Sequence, residues 1–281
     1  MIAPARHPSS TAVADHYDEL DQFYRDIWGD HVHHGLWVTG RETHHEATLQ
    51  LVRHVAGLAQ IKRGARVCDI GCGYGATARM LAADYGAQVT GVTVSPAQFH
   101  YAENHPAPGV TILLGDWLAN LLESAAFDAA IAIESTEHMA DLPGFFHQAA
   151  RILRPGARLV ICAWLSDPHA SATQRAFLLE PACREGQMAR IGLASEYRRL
   201  FEESGFTVER EEDVSQLVKR TWPLCARGFL TSVIRDPRYI KYLMNRHRRN
   251  RIFALTIFRI WLAFETGALR YGILTGVKKS A

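Results

Sequence analysis

The stretch Val67-Cys-Asp-Ile-Gly-Cys-Gly-Tyr-Gly75 constrains this chain more than any other. A short apolar run over 65–70 leads into it, and a helical segment over 76–85 follows. Glycines at alternate positions let the backbone turn tightly and approach a ligand with no Cβ in the way. The start of the following helix adds unpaired N–H groups. The pyrophosphate fingerprint is G-x-G-x-x-G, whereas the spacing here is G-x-G-x-G. Asp69 stands just before the glycines, where it would repel a phosphate and suit a cation.

The same alternation continues along the chain. Apolar runs over 88–94, 110–114, 127–133 and 158–164 are separated by helical segments starting at Pro96 and covering 142–153, with Arg154-Pro-Gly156 breaking the latter. Strands alternating with helices at this spacing predict a parallel sheet with crossover helices. The runs are nearly solid in apolar residues, as expected of strands covered on both faces. A helix over 196–204, a strand over 206–209, a long helical stretch over 216–265 and a last strand over 269–277 complete the pattern. Ahead of the sheet, Val13, Tyr17, Leu20, Tyr24 and Ile27 recur at steps of three and four, marking one face of a helix that Gly29 ends. Residues 1–12 read as a frayed tail. The expected organisation is an N-terminal helical arm or lid over 1–60 and one α/β domain over 61–281, with helical inserts at about 165–195 and 216–265.

The chain has 281 residues, 48% of them hydrophobic, which is enough to bury a core. Lys plus Arg number 31 against 29 Asp plus Glu, a balance that gives no reason to expect a nucleic-acid partner. Five cysteines with no C-x-x-C pair argue against a disulfide scaffold or a zinc ribbon and point to a reducing cytoplasm. No secretory core and no run of about 18 apolar residues is seen.

With these motifs in hand, the chain resembles the class I S-adenosylmethionine-dependent methyltransferases, within them the gamma-tocopherol methyltransferase-like small-molecule group. The likeness covers 14–278. It rests on Trp28-Gly-Asp-His-Val-His-His-Gly-Leu-Trp37, the glycine motif, Gly91-Val-Thr-Val-Ser-Pro-Ala-Gln98, Ile133-Glu-Ser-Thr-Glu-His-Met139, Leu153-Arg-Pro-Gly156 and Thr221-Trp222. It implies a doubly wound, Rossmann-like seven-stranded sheet of order 3-2-1-4-5-7-6. S-adenosyl-L-methionine is the implied cofactor, and a small aromatic or prenylated lipophile the implied acceptor, methylated at carbon, nitrogen or oxygen. Two rivals remain: a cyclopropane-fatty-acid-synthase-like lipid modification, and a non-catalytic cofactor-binding module.

The resemblance also assigns residues. Asp69, Gly71, Cys72 and Gly73 lie where the methionine part is held, Asp69 facing the ammonium. Many relatives end the second strand in an acidic residue that takes the ribose hydroxyls; this chain has Thr93, so ribose contacts fall to Thr93 and Gln98. Asp116 matches the residue facing the adenine amino group, and Trp117 beside it could stack on the ring. Glu134 and Ser135 belong near the methionine moiety. His138 is a candidate acid/base because its pKa lies near neutrality, and the alternative is a structural histidine locking the loop.

The first 54 residues hold His7, His16, His31, His33, His34, His44, His45 and His54. A zinc cluster at His31, His33 and His34 is the sharp reading, but no supporting ligand pattern accompanies it beyond Asp30, and no metal is expected. In the resembling family this segment covers the cofactor and acceptor. Trp28, His33, His34 and Trp37 are therefore read as lid residues, Trp28 also as a cofactor contact, with His33, His34, Glu134 and His138 as the candidate catalytic set. Finally, Arg235, Arg238, Lys241, Arg246, Arg248, Arg249 and Arg251 precede an apolar run over 252–264. This reads as a solvated basic face, or as a surface for peripheral membrane contact through 235–264 or for an anionic or lipophilic acceptor. No motif specifies an oligomeric state.

Overall fold

The structure is a computed structural model that describes residues 1–280, apart from the side chains of Arg249 and Phe253. The arm comprises α1 (Ser10–Trp28) and α2 (His44–Leu58). The Ser9 hydroxyl accepts the N–H of Ala12 at the start of α1, and Gly29, at φ +77°, ends it. A Thr43–Glu46 capping box starts α2. Then come β1 (Arg66–Ile70), α3 (Ala76–Tyr85), β2 (Gln88–Thr93), α4 (Pro96–Glu103), β3 (Val110–Leu114), β4 (Phe127–Ile133), α5 (Leu142–Ile152) and β5 (Leu153–Ser166). The later part holds α6 (Ala172–Gln174), a π-helical turn (Arg175–Leu179), α7 (Glu180–Glu185), α8 (Ala194–Glu203) and β6 (Phe206–Asp213). It closes with α9 (Ser215–Val218), α10 (Thr221–Arg235), α11 (Pro237–Met244), α12 (Phe253–Glu265) and β7 (Leu269–Lys278).

The seven strands run in the expected order β3-β2-β1-β4-β5-β7-β6. Strands β1 to β5 pair in parallel, and β7 runs antiparallel to both β5 and β6. Each face of the sheet carries its own core. On one, Leu142, Phe145, Phe146, Ala149 and Ile152 of α5 interlock with Phe201 of α8 and Ile161 of β5. Truncating one such phenylalanine to alanine costs ~3–5 kcal/mol. On the other, α2, α3, α10 and α12 cover Val67, Ile131, Cys162 and Ile273.

Three expectations need correction. Residues 1–12 are not a frayed tail: Ile2 is buried and exchanges both backbone hydrogen bonds with Ile191, at 2.9 and 2.8 Å. A partner 189 residues away leaves no local signature. Strand β5 begins at Leu153, not at 158. Leu153 pairs with Phe127, and an irregularity in register lets Arg154-Pro-Gly156 stay in the strand. Strand β6 runs on to Asp213 because it is an edge strand: Arg210 to Asp213 keep their pairing to β7 while most of their side chains face water, and Glu209 sits at an irregularity in register.

Candidate active site

The glycine turn shapes the first wall of a cleft of about 1210 Å³. Gly71 holds φ +76°, and a Cβ there would lie 2.3 Å from Cβ of Ser135, so only glycine fits the approach of β1 to the loop after β4. Ser135 Oγ donates to the carbonyl of Ile70 at 2.6 Å and fixes that approach. Gly71, Gly73, Thr93, Gln98, Asp116, Trp117, Glu134 and Ser135 all line this cleft. Thr93 donates its hydroxyl to Oε1 of Gln98 at 2.7 Å. That bond orients the Gln98 amide, whose Nε2 lies 4.0 Å from the position a Cβ on Gly73 would take.

Asp69 is buried on β1 between Gly91 and Ile131, and its Oδ2 has no hydrogen-bond partner. Burial pushes its carboxyl up to about 7. Asp116 instead caps a short 3₁₀ turn, accepting the N–H of Leu118 at 2.9 Å.

Three other sequence-predicted residues are placed differently: Trp117 borders the cleft with its ring packed behind it, while Cys72 and Trp28 lie elsewhere. The Trp117 indole is buried in the core, its N–H toward the carbonyl of Phe145 at 3.4 Å. Cys72 packs against Gly91. Trp28 lines a second chamber, not the cleft.

That second chamber, of about 540 Å³, shares Tyr17, Val32, Glu134 and His138 with the cleft. Trp28, Trp164, Trp222 and Met188 give it an apolar lining, and His33, His34 and Glu137 complete it. An apolar pocket of about 420 Å³ between α1, α10, α11 and α12 adjoins it through Tyr24 and Trp28.

Glu134 organises the wall between cleft and chamber. It follows β4 with φ +53°, a strained conformation for a residue with a Cβ. Its Oε1 accepts from the His34 N–H (2.7 Å), His34 Nδ1 (2.9 Å) and the Tyr271 hydroxyl (2.8 Å); Oε2 accepts from the Trp164 indole at 2.9 Å. Burial opposes its ionisation, but His34 and these donors outweigh that and hold the carboxyl at about 2. Glu137 is the opposite case. Burial raises it to about 8, against the pull of the Trp164 backbone N–H at 2.5 Å. His138 donates Nδ1–H to the carbonyl of Gln187 and accepts the Tyr17 hydroxyl at Nε2, both at 2.9 Å. Burial lowers its pKa. Tyr17 and Tyr271 escape the sequence reading, because nothing in helical or strand spacing marks which hydroxyl meets a buried acid or histidine.

Residues 5–230 match the model of the mycolic acid cyclopropane synthetase family. The chain belongs to that family. Among its relatives, 27-O-demethylrifamycin SV methyltransferase of Amycolatopsis mediterranei (strain S699) is 29% identical over 96% of this chain and 98% of its own length. The chloroplastic tocopherol O-methyltransferase of Arabidopsis thaliana is 26% identical over 94% of this chain and 80% of its own. The solved structure of the cyclopropane synthase MmaA2 from Mycobacterium tuberculosis superposes with a TM-score of 0.84 at 21% identity, over 98% of this chain and all of that one, and shares the fold. This member of the synthetase family is an S-adenosylmethionine-dependent methyltransferase that acts on a small molecule. The residues present fit S-adenosyl-L-methionine: a buried carboxylate oxygen without a partner on Asp69, bare backbone at Gly71 and Gly73 along the cleft wall, and the oriented Gln98 amide.

Proposed function

We propose that the methyl acceptor is an aromatic or prenylated lipophile carrying a hydroxyl group. One observation carries the reading: the cofactor cleft shares Glu134, Tyr17 and His138 with a tryptophan-lined chamber, which in turn adjoins an apolar pocket. Such walls bury a ring or a prenyl chain, while the few polar groups at the junction orient the reacting end. The names of the rifamycin and tocopherol enzymes fit a hydroxyl acceptor.

In this reading Asp69 faces the ammonium of the methionine part, with Gly71, Gly73 and Ser135 shaping its seat. Thr93 and Gln98 address the ribose and Asp116 the adenine. When bound, the cofactor supplies an activated methyl group on a sulfonium. The protein's share is alignment and exclusion of water. Cys72 and Trp117 serve the packing behind the cleft, and Trp28 the acceptor side. Glu134, His34 and His138 hold the junction in shape. Residues 1–60 act as a lid over the domain formed by 61–281. Pro8, Ser9, Ser10, Val13, Tyr17 and Val32 of that arm wall the cleft, which supports this role.

Two further points extend the reading. Ile234, Ile240, Met244 and Leu255 are exposed beside Arg235, Arg238 and Lys241 on α10 to α12, a composition suited to peripheral contact with an anionic bilayer. Five unpaired, buried cysteines suit a reducing compartment such as the cytoplasm. Among the described residues no helix is long and apolar enough to cross a membrane.

The rival is methylene transfer to an unsaturated lipid, which the family description favours. Incubation with methyl-labelled cofactor separates the two. Label should pass to prenylated phenols or hydroquinones and not to vesicles of unsaturated phospholipid; the reverse pattern overturns the reading.

A further inference from the structure

Three histidines, His33, His34 and His138, line the acceptor chamber, and the structure uses their ring nitrogens unequally. His34 donates Nδ1–H to Glu134 and accepts the Trp222 indole N–H at Nε2, at 2.7 Å. His138 is likewise engaged at both nitrogens, by Gln187 and Tyr17. His33 differs. Its Nδ1 lies 2.8 Å from the carbonyl of His34. A carbonyl can only accept, so Nδ1 carries the proton and Nε2 presents its lone pair. That Nε2 is buried and has no partner. A buried acceptor left unpaired is unfavourable, and a substrate O–H would satisfy it.

We infer that His33 is the general base of the transfer, its Nε2 taking the proton of the acceptor hydroxyl. The inference rests on the hydroxyl acceptor proposed above. As the O–H proton moves to Nε2, an oxygen electron pair forms the new O–C bond. The methyl–sulfur bond breaks, and its electron pair stays on sulfur as a neutral thioether. His33 leaves the step as imidazolium and returns the proton to solvent once the product departs. The other acidic and histidine groups of the chamber cannot do this. Glu134 is a weak base with its oxygens already taken by donors. Glu137 stays protonated near neutrality and is bonded to the Trp164 backbone. The lone pair of His138 is covered by Tyr17.

The groups that set the basicity of His33 come from several elements. His31, with its ring 5.2 Å away, and His34 belong to its own loop; Glu134 faces it from the end of β4, and His44 from α2. Burial lowers its pKa and Glu134 raises it, with the net below the ordinary histidine value. Nε2 is thus free to accept a proton at neutral pH.

The test uses the full chain and a series of ring-substituted prenyl phenols of graded acidity. If the wild type methylates none of them, the acceptor reading fails, irrespective of His33. If it does methylate them, His33→Ala should lower kcat about 10²–10⁴-fold, while its affinity for S-adenosylhomocysteine, measured by calorimetry, stays unchanged. The loss should shrink as the phenol becomes acidic enough to ionise unaided, and added imidazole should restore part of the rate. An equal loss with every phenol, or none, overturns the inference. A second readout does not depend on the variant: the ¹⁵N titration of His33 in the wild type should match the acid limb of kcat/KM, and a mismatch overturns the inference equally.

Discussion

Glu134 Oε1 accepts both the backbone N–H and the ring Nδ1–H of His34, a residue 100 positions earlier in the chain. The pair ties the arm's loop to the end of β4. Because Trp222 donates to the far nitrogen of the same ring, α10 is held to the same point. Cleft, chamber and arm thus meet at one buried carboxylate.

Glu134→Ala should be strongly destabilising. It leaves His34, Trp164 and Tyr271 with buried donors and no acceptor, and loss of one member of such a buried network costs ~3–5 kcal/mol. Denaturant unfolding measures it. Glu134→Gln should lose less, since it keeps the carbonyl toward His34 but turns an NH₂ toward the Trp164 indole. Equal stability of all three proteins would show that this network contributes nothing.

Asp69→Asn should weaken S-adenosylhomocysteine binding by about 10- to 150-fold, the value of a charge-assisted contact of ~1.5–3 kcal/mol. A pH signature accompanies it. Burial raises the free carboxyl to about 7, and an ammonium partner would bring it down. Below about 7, binding must release a proton, so affinity should rise with pH up to that point and then level off. Calorimetry in buffers of differing ionisation enthalpy counts the proton, and Asp69→Asn should abolish the release. For folding the sign is reversed. A raised carboxyl is neutral in both states well below its unfolded value of about 4, so its cost is absent there. Stability is then lost as pH climbs toward about 7.

Hydrogen exchange should slow across residues 10–37 on adding S-adenosylhomocysteine. The arm is held by polar contacts that can be released: Asp18 to Ser95 at 2.5 Å, Asp21 to Tyr74 at 2.8 Å and Tyr17 to His138 at 2.9 Å. Ligand in the cleft adds a surface for it to close on. Exchange rates that ignore the ligand would mark the arm as a static wall.

Binding to vesicles rich in anionic lipid should be measurable by co-sedimentation and should weaken with salt, since each basic residue near such a surface adds about 1 kcal/mol. Replacing Ile234 and Met244 by serine should reduce it without changing the melting temperature, because both side chains already stand in water. Retention on neutral vesicles alone would contradict the basic contribution.

Much of this molecule could be read from local sequence. The starts of the strands other than β5, the glycine turn and the order of crossover helices follow from hydrophobic periodicity and from backbone torsions that only glycine tolerates, which are properties of neighbours in the chain. Gly71, Gly73, Thr93, Gln98, Asp116 and Ser135 accordingly reach one cleft as their positions on strand ends imply. What local sequence does not contain is the partner of each polar atom. His33, His34 and His138 look alike as candidates, yet Glu134, Trp222, Tyr17 and Gln187 occupy the nitrogens of two and leave one lone pair on the third. Trp117 turns into the core because Phe145 offers both a ring and a carbonyl there. Ile2 is ordered by Ile191 at the far side of the chain. Periodicity encodes which face of an element is apolar; hydrogen bonds between elements depend on distances and angles that exist only once the sheet has brought those elements together.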